Sequence, residues 1–235
     1  NNMGGDLTLP SVEEFDAKLA AAPKEGAVKV TVNAKEAAPR YSGLTIKGVK
    51  VGESPEWLKS KLMTIGLRPI NSIVDITNYI LMEMGQPMHA FDADMIEGNE
   101  VVVDFCPEGT KFVTLDEVER TLSASDLMIC NTKEPMCIAG VFGGVKSGVT
   151  EKTVNVFLES AYFNPVSIRK TSKRHTLKTD ASFRYERGCD PDVTLYALKR
   201  AALLITEIAG GEIVGDVVDI LSAPVEKKVV ELDYA

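Results

Sequence analysis

Histidine is nearly missing from this chain: 235 residues carry two, His89 and His175. Cysteine is sparse, and Cys106, Cys130, Cys137 and Cys189 form neither a CxxC pair nor a zinc-like spacing. A zinc or disulfide framework is therefore not what organises this protein. The four thiols are expected to be reduced, mostly buried and in a cytosolic setting. No apolar run approaches the roughly 18 residues of a membrane span. The start lacks the basic, apolar and small-residue order of a signal peptide. No Gly-x-Ser-x-Gly elbow occurs and no thiol neighbours a histidine, so a side-chain nucleophile is not visible. Cations are outnumbered: 26 Lys and Arg against 34 Asp and Glu give a net charge of −8. Broad non-specific nucleic-acid binding is disfavoured, although a local basic patch lies between Arg169 and Arg187.

What is present reads as an ordinary globular chain, 45% hydrophobic and 26% charged, long enough for one large domain or two small ones. "SVEEFDAKLAAAP" predicts a helix, with Ser11 as cap, Glu14 completing a capping box and Pro23 past its end. Residues 27–33 and 41–52 read as strands. "SPEWLKSKLMTIG" predicts a second helix with Ser54 at its cap, Pro55 at its first position and Gly66 at its end. From Asn71 to Met84, Ile73, Ile76, Ile80, Leu81 and Met84 share one helical face, and Gly85 stops the helix. Residues 100 to 160 hold five candidate strands: "EVVVDF", "KFVTL", "LMICN", "MCIAGVF" and "VNVFLES". A short helix follows Asn164 and Pro165. The longest helix, 190–211, has Leu195, Leu198, Ala202, Ile205 and Ile208 as its buried stripe, and 212–220 is a closing strand. Without regular βαβ alternation the class is α+β.

The motifs carry several readings. "AGVFGGVKSGV" (139–149) has Val145 where a P-loop needs glycine before Lys-Ser, so a nucleotide cradle is ruled out. A turn between strands remains, in which Gly140 and Gly143 let backbone approach a ligand closely. Glu159 ends the strand "VNVFLE". It either faces solvent or is an inward carboxylate that needs a partner. "RHTLKTDASFRYERG" (174–188) gathers Arg174, His175, Lys178, Arg184 and Arg187, either as a solvated loop or as a lip for phosphates. In the second of these readings Thr179, Ala181 and Ser182 form a tight small-residue wall. His89, Asp92 and Asp94 match no usual metal spacing.

"GLRPINSIVDITNYILMEMGQPMHAFDADMIEG" (66–98) closely resembles the bacterial phenylalanyl-tRNA synthetase beta-subunit family. So do "AGVFGGVKSGV", "NVFLESAYFNPVSIRKTSKRH" and "TDASFRYERGCDP", in the family's order and near its spacing. The resemblance runs from about Pro39 to Ile220 and points to the central B3/B4 editing domain. It implies a three-layer β/β/α sandwich, dominated by a mixed or antiparallel β-sandwich. Residues 1–38 would be a lead-in from the preceding part of the subunit, 39–220 the editing domain, and 221–235 a linker with the truncated start of the next domain. The Gly- and Asn-rich beginning fits a cut point within a longer protein.

The resemblance further implies hydrolysis of tyrosine wrongly attached to phenylalanine tRNA. It places His89, Glu159 and Thr179 in the catalytic pocket, with Arg68, Thr77, Asn78, Pro87, Gly140, Gly143 and Ala181 binding substrate. Glu159 would select tyrosine by its hydroxyl, and His89 would position water or the terminal adenosine. Backbone N–H groups of the glycine turn would support the oxyanion. No cofactor or metal is expected in this domain, ATP and Mg2+ belonging to the synthetic site of the parent complex. The expected partners are the 3′ end of the tRNA and the synthetase alpha subunit, in the cytoplasm and without a membrane. Two other readings stand beside this one: a non-catalytic tRNA-docking or structural module, and a metal-dependent hydrolase.

Overall fold

The computed structural model describes residues 8–222 and 229–233. Expectations for the first seven residues and for most of the tail after 222 lie outside them. The middle layer is an antiparallel sheet of β2 (Arg40–Lys47), β3 (Met88–Asp92), β10 (Asn155–Tyr162) and β11 (Glu212–Leu221), in the order β11-β2-β10-β3. A second sheet runs β1-β4-β7-β8-β9. Its strands are β1 (Lys29–Val32), β4 (Glu100–Phe105), β7 (Leu127–Cys130), β8 (Pro135–Ile138) and β9 (Phe142–Gly143). β1 pairs parallel with β4 and the other pairs are antiparallel, so the sheet is mixed. β5 (Lys111–Val113) and β6 (Glu119–Thr121) make a small separate hairpin.

Two apolar clusters hold three layers together. Between the sheets, Tyr41, Phe91, Phe157 and Ala161 meet Val101, Val103, Met128, Ile129 and Ile138. On the other face of the middle sheet, Leu44, Ile46, Ala90, Val156 and Leu158 meet the helices. These are α1 (Glu13–Ala21), α2 (Glu56–Thr64), α3 (Ser72–Met84) and α6 (Val193–Ile208), through Phe15, Leu58, Ile76, Ile80 and Leu198. The β/β/α sandwich implied by the resemblance is the one observed. The segment before Pro39 takes part in it, since β1 joins the second sheet and Phe15 of α1 is fully buried.

Burial on both faces explains β10. Its residues alternate as strands must, Val156 and Leu158 toward the helices, Phe157 and Ala161 toward the second sheet. Glu159 has the same parity as Phe157. A strand in a middle layer has no solvent face, so the carboxylate points between the sheets and is 4% exposed.

Most predicted elements are present with shifted ends. α3 is capped by the Asn71 carboxamide, which accepts from the Ile73 and Val74 amides, and ends at Gly85 with φ +73°. α2 differs at its start: Pro55 takes the cap position, and the Ser54 hydroxyl instead donates to buried Asp75 at 2.6 Å. No capping box forms on α1. It begins at Glu13, whose amide reaches Ser11 Oγ at 3.3 Å. The expected strand "MCIAGVF" is broken into β8 and β9 by Gly140, whose φ is +64°. Of the four free thiols, Cys137 is buried and the other three are half-buried.

Candidate active site

A cavity of about 270 Å³ lies between the sheets, lined by residues of α3, β3, β9 and β10. Its lining includes Thr77, Asn78, Pro87, His89, Gly140, Gly143, Glu159, Thr179 and Ala181, which is nine of the ten residues singled out in the sequence. Arg68 is the exception. It is exposed in the loop between α2 and α3 and does not line the cavity.

The middle sheet sets the geometry. In antiparallel register Glu159 of β10 has Gly43 of β2 on one side and His89 of β3 on the other. The Tyr41 hydroxyl donates to Glu159 Oε2 at 2.7 Å. Burial pushes the Glu159 carboxyl up to about 7, and the hydrogen bond from Tyr41 opposes that rise. His89 meets the edge of Phe91, ring centroids 4.4 Å apart, and burial lowers its pKa to about 4. The imidazole is therefore neutral at physiological pH and offers one donor and one acceptor.

The break that delivers His89 is built from side chains as well as from glycine and proline. Gln86 is fully buried, and its Nε2 donates to the Pro87 carbonyl at 3.0 Å and the Ala161 carbonyl at 2.9 Å. The Tyr185 hydroxyl reaches the same two oxygens at 3.1 and 3.2 Å, its single proton shared. These bonds tie the start of β3 to the end of β10. β3 itself was not predicted, since "MHAFD" is short.

The glycines serve different needs. A Cβ on Gly143 would lie 3.0 Å from His89 Cε1 and 2.9 Å from Leu115 Cδ1, so this glycine makes room for the imidazole. A Cβ on Gly140 would strike Tyr185 and Phe163, at 2.8 and 2.9 Å. In the turn the Val141 and Gly144 amides donate to the carbonyls of Ile138 and Met136, each at 2.9 Å. Those two N–H groups are committed to the fold, which narrows the expected oxyanion support to other amides of the wall.

Thr179 caps α5 (Asp180–Tyr185), a helix the sequence reading missed because serine, not glutamate, closes its capping box. The Thr179 hydroxyl accepts from the Ser182 amide at 3.1 Å and donates to the Val141 carbonyl at 2.9 Å. Its proton thus joins α5 to the glycine turn.

The basic lip is only partly what the sequence implied. Arg174 and His175 end α4 (Pro165–His175) and bond to Asp126, whose side chain is fully buried. His175 Nε2 lies 2.7 Å from Asp126 Oδ2, and Thr171 and the Ser123 amide also donate to that carboxylate. Hydrogen bonds from the Ser123 amide, His175 and Thr171 outweigh burial, and the Asp126 pKa is lowered. These two side chains stabilise the fold. Lys178, Arg184 and Arg187 remain exposed, with the Arg187 guanidinium 3.5 Å from the centre of the Phe183 ring. Among the described residues, no group of three or more His, Cys, Asp or Glu side chains is placed to hold a metal. No helix among them is long and apolar enough to cross a membrane.

A three-layer sandwich with this cavity between its sheets defines a class, and the sequence comparison agrees: the B3/4 domain family model matches residues 37–210. The chain belongs to the B3/4 domain family. Over 234 of its 235 residues it is 57% identical to the phenylalanine–tRNA ligase beta subunit of Bacteroides fragilis. It is 53% identical over 235 residues to that of Porphyromonas gingivalis, and 48% over 229 residues to that of Bdellovibrio bacteriovorus. In each case it spans 28% of the relative's length. A solved N-terminal fragment of the phenylalanyl-tRNA synthetase beta subunit from Pyrococcus horikoshii aligns with a TM-score of 0.54 at 13% identity. That alignment covers 90% of this chain and 55% of the fragment, and it shows a shared fold.

Proposed function

We propose that this chain is the editing domain of a phenylalanyl-tRNA synthetase beta subunit, hydrolysing the ester of tyrosine mistakenly joined to phenylalanine tRNA. The observation that carries the reading is Glu159, a buried carboxylate on the wall of a cavity the size of an aromatic side chain. Tyr41 occupies Oε2, which leaves Oε1 for the cavity. Tyrosine and phenylalanine differ by one hydroxyl. An apolar pocket separates such a pair poorly, whereas a buried group that must be hydrogen-bonded rejects the analogue lacking the hydroxyl.

The reaction is addition of water to the ester carbonyl and loss of the ribose oxygen. Tyrosine and the free tRNA end are released. Neutral His89 at the cavity wall orients that water or the terminal adenosine, and wall amides receive the developing oxyanion. Thr179 positions the wall rather than giving up its proton. A vicinal ribose hydroxyl of the substrate can relay the proton. Exposed Lys178 and Arg184, beside the wall residues Asp180 and Ala181, steer phosphates of the tRNA end. The reading assigns no metal or nucleotide to this domain. It places ATP and Mg2+ at the synthetic site of a complex with an alpha subunit, in the cytoplasm.

The test is release of amino acid from tyrosyl- and phenylalanyl-tRNA, with and without chelator. Faster loss of tyrosine, unchanged by chelator, is expected. Equal rates overturn the tyrosine assignment, and loss of activity on chelation overturns the metal-free one.

A further inference from the structure

Tyr41 stands outside the cavity and behind its acid. It lies on β2 opposite Ala161, and the residue opposite Glu159 is Gly43. A diagonal between neighbouring strands brings its hydroxyl to Glu159 Oε2 at 2.7 Å. The Tyr41 ring is fully buried between the sheets with Phe91 and Phe157. A Cβ on Gly43 would lie 2.4 Å from Phe157 Cζ, so only glycine lets the Phe157 ring cross the strand there.

The other groups that face Glu159 do not replace this donor. Tyr185 on α5 gives its proton to the Pro87 and Ala161 carbonyls. Cys137 on β8 is directed to the carbonyls of Ile138 and Phe142 at 3.4 Å. His89 on β3 is neutral, and no cation stands among these neighbours. Among the described residues, Tyr41 is thus the one side chain that hydrogen-bonds the carboxylate against the cost of burying it.

We propose that Tyr41 is a positioning residue for substrate selection: it fixes Glu159 with one oxygen toward the cavity and keeps that oxygen a hydrogen-bond acceptor at neutral pH. The inference rests on the tyrosine-selecting reading above. An ionised carboxylate only accepts, so it demands the donor that tyrosine has and phenylalanine lacks. A protonated carboxyl carries its proton on the free oxygen and no longer requires that donor. Since the Glu159 carboxyl titrates at about 7, losing the Tyr41 hydroxyl moves its midpoint above neutrality.

The experiment compares the wild-type chain with Tyr41→Phe, reading the Glu159 carboxyl titration by carbon NMR. Binding of non-hydrolysable amide analogues of tyrosyl- and phenylalanyl-adenosine is measured in parallel from mildly acidic to alkaline pH. In the variant the Glu159 midpoint should rise. Its tyrosyl preference should fall about fivefold at neutral pH and return in alkali, the loss of ionised carboxyl at pH 7 that follows when a midpoint of about 7 rises by one pH unit. A midpoint and preference identical to wild type overturn the proposal, as does a preference lost at every pH with the midpoint unmoved. Adding the Tyr41→Phe change to Glu159→Gln guards against a general folding effect, because in that background it should leave the analogue ratio unchanged. If wild type binds both analogues alike, the tyrosine reading fails, while the carboxyl titration still reports whether Tyr41 controls Glu159.

Discussion

Glu159 and His89 face each other directly across β10 and β3, on the side of the middle sheet that looks into the cavity. Burial moves the two in opposite senses, the acid up to about 7 and the imidazole down to about 4. Both shifts favour the neutral form, so a polar pair sits between two apolar layers without a fixed ion pair.

Their contributions to stability should oppose each other along the pH axis. Glu159 binds its proton more tightly folded than unfolded, so its stabilisation is full below 4.5 and is lost as pH rises through about 7. His89 binds its proton less tightly folded, so stability is lost as pH falls from 6.5 through about 4. Each swing amounts to about 3 kcal/mol, and between them the two largely cancel. Denaturant titrations should show Glu159→Gln gaining on wild type as pH rises, and His89→Gln gaining as pH falls. Parallel pH profiles for all three proteins would contradict this.

Gly143→Ala should act on chemistry more than on folding. Its Cβ would come 3.0 Å from His89 Cε1, and the backbone there carries no positive φ. The imidazole or Leu115 must move, at a cost of about 1–3 kcal/mol in stability. Tyrosyl-ester hydrolysis is expected to drop by about tenfold or more, since displacement of a positioned group by even an ångström is costly. Wild-type hydrolysis in the variant would show that the His89 position is unimportant.

Thr179 supplies a prediction about the wall. Thr179→Val removes the cap of α5 and leaves the Val141 carbonyl without its donor. A loss of about 2 kcal/mol is expected. Thr179→Ser keeps both bonds and should stay near wild type in melting temperature. Equal destabilisation by serine and valine would point to the lost methyl rather than the hydroxyl.

The basic side chains of the 174–187 segment should divide into two groups. Asp126→Ala leaves His175 and Arg174 without their carboxylate, and should cost about 3–5 kcal/mol. Arg174→Ala should lower stability and leave RNA affinity nearly unchanged. Lys178→Ala and Arg184→Ala should do the reverse, weakening RNA binding and lowering its salt dependence by about one phosphate contact each. RNA titrations at several salt concentrations separate the two groups.

Much of this was legible in the sequence because local chemistry agrees with the fold. Asn71 and Gly85 delimit α3, and Asn164 with Pro165 opens α4, through caps that act within a few residues. The orientation of Glu159 was not legible, because alternation names two faces without saying that both are covered. Arg174 and His175 looked like members of a free basic lip until tertiary structure brought Asp126, 48 and 49 residues away, beside them. Tyr41 is 118 residues from Glu159, and no local pattern marks that bond.

The central claim is that Glu159 selects tyrosine by its hydroxyl. The most direct measurement is the ratio of tyrosyl- to phenylalanyl-tRNA hydrolysis for wild type and Glu159→Ala, side by side. The account predicts a ratio well above one for wild type and a collapse toward one in the variant. A variant that keeps the wild-type ratio would contradict it.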